Sequence, residues 1–133
     1  MTHADTSLMG AFENGTIDPG SFGHREHLRV IWSFVHAYGT LEAVRRFEEG
    51  LKRLTADAGH PEKYHATITH AFTFLVSERI HRQGTQNWND FEEVNADLFA
   101  WPNATLADLY PAEVLASAEA RATFVMPKLA AAT

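Results

Sequence analysis

The chain has 133 residues, a length that buries a core within one domain, 1–133, without disulfide or metal staples. Its formal charge of -6 argues against the basic footprint of a nucleic-acid partner, and no stretch approaches the roughly 20 apolar residues of a membrane span. It contains no cysteine, which excludes disulfides, thiolate metal centres and a cysteine nucleophile.

The opening MTHADTSLMG lacks the basic and apolar regions of a secretory signal, so a cytoplasmic location is expected. Residues 1–5 and 130–133 are expected to fray. A first helix is predicted through SLMGAFEN, capped by Thr6 or Ser7 and broken by Gly15, Pro19 and Gly20. A second begins near Ser21 or Phe22 and ends at Gly39, with Leu28, Ile31, Val35 and Tyr38 forming a core stripe.

Thr40 is placed to cap the third helix, whose apolar face is Leu41, Val44, Phe47, Leu51 and Leu54. Glu48 and Glu49 stand opposite Lys52 and Arg53 at four-residue spacing, a solvated charge pattern. AGHP, 58 to 61, connects to the longest predicted helix, 62 to 83, which turns Ile68, Phe72, Leu75, Val76 and Ile80 inward. GTQNWND reads as a loop, with Asn89 and Glu92 capping FEEVNADLFAW and Pro102 stopping it. One or two short helices follow, with Pro111 as a first helical residue and Pro127 ending the series. Nothing alternates with period two, so the predicted fold is all-α: a compact bundle of five or six helices with short connections.

Chemistry concentrates in the histidines. His24 and His27 lie about 60° apart around a helix, because each residue turns about 100°. Leu28 and Ile31 continue their side, so both rings are expected to point into the bundle. Two imidazoles at this spacing suit zinc, iron, nickel or copper better than magnesium or calcium. His65 and Thr69, one turn apart and with Phe72 beyond, are expected to face that pair if the second and fourth helices pack together. Three histidine ligands would leave a coordination position for water or substrate, the arrangement of a catalytic rather than a structural centre.

The other histidines have plainer readings. His70 lies about 140° from His65 and cannot readily share an ion with it. His36 is off the face of the first pair, His60 belongs to a connection, His81 suits a helix C-terminus and His3 falls in the expected frayed start. Glu26, adjacent to His27, points elsewhere, and Arg25 is expected in solvent.

Several further side chains are candidates for the pocket or its surroundings. Arg29 either recognises a carboxylate or phosphate or extends into solvent. Tyr64 either presents its hydroxyl at the pocket rim or belongs to the core. Thr67 and Thr69 either line a polar cavity or bond the preceding helical turn. Arg79 either binds an anionic substrate or forms a surface ion pair. The aromatic residues read mainly as packing; Trp88 and Trp101 either rim a cleft or, as the favoured account, take core or half-buried positions. No HExxH, ExxH pair, phosphate loop, dinucleotide fingerprint or nucleophile elbow is present.

The segments FGHREHLRVIW, KYHATIT and ARATFVMPKL, taken in that order, resemble a group of small bacterial all-helical proteins. That group carries a His-x-x-His segment followed by a Tyr-His-x-Thr segment and has no assigned reaction. The resemblance runs from about Phe12 to Leu129 and directs attention to His24, His27, Tyr64, His65, Thr67 and Thr69. The expectation is a histidine-ligated metal-binding protein acting on a small molecule, with enzymatic activity open. The alternative is a non-enzymatic helical domain that binds a small molecule or a protein, its histidines serving as polar cavity residues. A homo-oligomer is compatible with either.

Overall fold

The chain begins with a capping box rather than a frayed end. In the computed structural model, which describes residues 1–84 and 87–127, the Thr2 hydroxyl accepts the Asp5 N–H while the Asp5 carboxylate accepts the Thr2 N–H. Helix α1 therefore spans His3–Asn14, starting earlier than expected. Asp5 is only 1% exposed and is gripped by Arg29, with Nη2 to Oδ1 at 2.6 Å. The expectation of a frayed start is corrected by this pair, and residues 130–133 lie outside the described residues.

Helix α2 spans His24–Tyr38 and α3 spans Thr40–Asp57, separated by Gly39 alone. Gly39 ends one helix and begins the next at φ 85°, a conformation in which a Cβ would be strained. Thr40 is thus the first helical residue rather than the cap, and its hydroxyl bonds Ser77 at 2.5 Å. Helix α2 packs against α1, α3 and α4 (Ala66–Gln83), and buries Leu28 and every residue from Val30 to Val35. That all-round burial makes it the central helix.

The core between α1, α2 and α3 is aromatic. Phe12 stacks on Phe22 and on Phe47, with centroids 5.5 and 5.4 Å away, and meets Phe34 edge-on at 5.9 Å. Gly50 makes this possible: a Cβ there would lie 2.2 Å from the Phe12 ring. Two expected core residues lie outside. Leu41 is 80% exposed because Ala43, Phe47, Gly50 and Leu51 form the buried face, and Leu41 sits about 120° from Phe47 around the helix. Tyr38 projects past the last turn of α2 and is covered by the Arg46 guanidinium, 3.9 Å from its ring centroid.

The expected long fourth helix is divided. Residues Pro61–Lys63 form a 3-10 turn, Tyr64 and His65 are extended, and α4 starts only at Ala66. Helix α5, Trp88–Val94, is capped by Asn87 instead of Asn89, and a 3-10 turn, Ala96–Leu98, follows. Thr85 and Gln86 of the expected loop lie outside the described residues. Helices α6 (Ala104–Leu109), α7 (Ala112–Leu115) and α8 (Ala118–Ala122) complete the path, and α8 docks on α4. The fold is all-α, with eight helices and no strand among the described residues, five of the helices having seven residues or more. Among the described residues no helix is long and apolar enough to cross a membrane.

Candidate functional site

Where the N-terminal ends of α2 and α4 approach each other, the bundle forms a partly open cavity of about 370 Å³. Its wall includes His24 and His27 from α2, Phe47 and Leu51 from α3, and His65, Ile68, Thr69 and Phe72 from the start of α4. Trp101, 60% exposed, stands at its edge, and Phe22 and the exposed Lys63 also line it. The interior is predominantly apolar, with a few convergent polar groups, the usual make-up of a small-molecule site.

Each α2 histidine is held between two aromatic rings. His24 lies 4.8 Å from Phe72 and 5.3 Å from Trp101 between centroids; His27 lies 4.6 Å from Phe22 and 6.0 Å from Phe47. His24 Nε2 donates to the Leu98 carbonyl at 2.8 Å, which leaves Nδ1 outside that bond. Burial among these rings, reinforced by repulsion from His24, lowers His27 to about 4, against a weaker opposing pull from the Phe22 backbone. His27 is half-buried and lines the cavity. At neutral pH His27 is an uncharged donor and acceptor.

His65 belongs to the same wall but is occupied. Its Nδ1 accepts the Ile68 N–H at 3.1 Å, which makes it the N-cap of α4, and its Nε2 donates to the Leu115 carbonyl at 2.8 Å. These two bonds define the tautomer and leave no free lone pair on the ring. The three expected metal ligands therefore share one cavity, yet His65 cannot ligate an ion without giving up a bond. Among the described residues no group of three or more His, Asp or Glu side chains is arranged to hold a metal.

The remaining candidates separate cleanly. Thr69 lines the cavity, its hydroxyl donating to the His65 carbonyl at 2.7 Å. Thr67 does not: fully buried, it donates to the Thr123 carbonyl at 2.8 Å and accepts the Val125 N–H at 3.0 Å, clamping the end of the described chain onto α4. Tyr64 is half-buried and outside the cavity wall; burial and then the nearby Glu48 push its hydroxyl well above the ordinary range. Arg29 is committed to Asp5 and Arg79 to Asp97 and Asn95, so both serve ion pairs away from the cavity. Arg25, expected in solvent, reaches Glu92 at 2.5 Å, and Glu26 caps its own helix by accepting the Gly23 N–H. Trp88 is buried in the core, the packing position expected of it.

Two residues that shape the site had no role assigned from the sequence. Asn103 donates to the carbonyls of Asp97, Leu98 and Ala100 and caps α6 through Leu106, holding the segment that carries Trp101 and the His24 acceptor. An asparagine directly after Pro102 and three residues before an apolar helical stretch is a cap signature that could have revealed it. Lys63 stands at the margin with no ion pair among the described residues. Comparison with protein-family models, with curated proteins and with solved structures found no match for this chain.

Proposed function

We propose that this protein binds a small, largely apolar molecule in the cavity between α2, α3 and α4. The observation that carries this reading is the pair of aromatic-caged imidazoles, His24 and His27, facing a void of about 370 Å³. The rings of Phe22, Phe47, Phe72 and Trp101 supply apolar contact, while His27 and Thr69 supply hydrogen bonding. With its proton affinity lowered, the uncharged His27 imidazole offers a hydrogen bond to a bound molecule rather than general-base chemistry. Cytoplasmic location and a bacterial source belong to the same proposal. The net charge of -6 supports the absence of a nucleic-acid partner.

The test is chemical-shift mapping with a panel of ring-containing fragments. Binding is expected to move the resonances of Gly23, His27, Ile68, Thr69 and the Trp101 indole together. Shifts confined to another surface, or none across the panel, would refute the reading.

A transition-metal site is the second reading, favoured by the closeness of His24 and His27, whose mutual repulsion contributes to the lowered proton affinity of His27. In it, zinc, iron, nickel or copper takes these two rings and completes its shell from the bound molecule, with His65 left to its structural bonds. Elemental analysis of untagged protein distinguishes it: stoichiometric metal lost in both His24→Ala and His27→Ala but retained in a folded His65→Asn variant supports this arrangement. Metal-free protein that takes up none of the four ions excludes it.

A further inference from the structure

The ionisable side chains of the cavity lining are all of basic type. They are His24, His27, His65 and Lys63, and no aspartate or glutamate lines the cavity. Two glutamates adjoin these basic residues in sequence: Glu26, beside His27, is engaged with the Gly23 N–H and lies 3.8 Å from Arg25, and Glu62, beside Lys63, is bonded to His60. Lys63 is exposed at the cavity margin and makes no salt bridge within 4 Å among the described residues, although its charge acts on the adjacent Glu62. Helices α2 and α4, with 15 and 18 residues, both begin at this cavity, through Gly23 and His24 in one and His65 in the other. The positive dipole end of α4 adds to the same potential, while that of α2 is met by the Glu26 carboxylate at the Gly23 N–H.

We infer that the ligand is an organic anion: a small carboxylic acid whose apolar body lies against Phe22, Phe47, Phe72 and Trp101 and whose carboxylate is met by Lys63. This rests on the binding reading above and adds the charge of the occupant. The aromatic wall could by itself attract a cation through its ring faces. A cation placed here would meet the Lys63 ammonium with no carboxylate in the cavity lining, so the anion is favoured. An aryl or alkyl acid of about ten to fifteen heavy atoms matches a pocket toward the small end of the usual range.

The test uses four probes of one shape: 3-phenylpropanoate, 3-phenylpropanamide, 3-phenylpropan-1-ol and 3-phenylpropylamine, titrated by calorimetry at pH 7 and low salt. The expected result is a carboxylate at least about tenfold tighter than the alcohol and amide, with the amine weakest. That advantage shrinks as salt is raised. In Lys63→Met, an exposed position that leaves the core untouched, the carboxylate should lose most of its advantage while the alcohol binds as before. Equal affinity of alcohol and carboxylate overturns the anion and leaves the pocket standing. Tightest binding by the amine overturns it in favour of a cation. Binding by none of the four removes the pocket reading and this inference together.

Discussion

The imidazole of His65 donates to the backbone carbonyl of Leu115 at 2.8 Å, across a separation of 50 residues. The same ring accepts the Ile68 N–H, so one side chain starts α4 and fastens α7 to it. His65→Ala should lower stability by about 2–3 kcal/mol, the sum of a lost cap and a lost buried hydrogen bond. His65→Asn keeps a capping side chain and should recover roughly half of that. Urea denaturation of the two variants checks the prediction; equal losses would assign the whole effect to Leu115.

Asp5 and Arg29 form the pair that draws α1 onto α2. Burial pushes the Asp5 carboxyl upward, but the Thr2 backbone N–H and the Arg29 guanidinium outweigh it and hold it below the usual range. Asp5→Ala removes both the capping box and the partner of a mostly buried guanidinium. The expected loss is about 2–4 kcal/mol by urea denaturation, with hydrogen exchange accelerated chiefly in residues 3–14.

Gly50→Ala tests the close approach of α1 to α3. Alanine is the better helix former by about 1 kcal/mol, and in an open helix it would stabilise. Here the new methyl meets the Phe12 ring, itself stacked between Phe22 and Phe47. A net destabilisation of about 1–3 kcal/mol is expected. A rise in Tm would show that the Phe12 stack yields freely.

His27 predicts the pH dependence. The unfolded chain protonates this imidazole near its ordinary value of 6.5, whereas the folded protein resists until about 4. Stability is therefore complete above about pH 6.5, declines as pH falls towards 4, and loses nothing further from this residue below that. His36 and His70, lowered chiefly by burial, act in the same direction. His27→Gln should flatten the decline measured by urea midpoints between pH 7 and 4.5, a window above the titration of Asp5. The change should not exceed about 3 kcal/mol across the window. An unaltered slope would mean that His27 is hydrated in the folded state.

Helical periodicity made the bundle and the inward side of His24 and His27 legible, because Leu28 and Ile31 mark that side over two turns. Local patterning could not supply partners distant in the chain. Arg29 looked free because Asp5 stands 24 positions away, in a segment whose polarity resembles a loose end. Arg79 likewise finds Asp97, and His24 finds the Leu98 carbonyl, a backbone atom that carries no residue signature. Helix α4 starts later than its periodicity predicts because His65 is the cap, a role that serine, threonine, aspartate or asparagine would announce. That shift also turned His65 from a cavity ligand into an engaged structural ring.

The most direct measurement compares binding in the native chain and in Ile68→Trp, which places an indole in the cavity while leaving His24, His27 and Lys63 in place. Titration of 3-phenylpropanoate and 3-phenylpropan-1-ol, followed through the His27 ring resonances, should show both ligands weakened at least about tenfold in the variant, with the fold intact by circular dichroism. Unchanged affinity of whichever probe binds the native protein would place the binding site elsewhere and contradict the account.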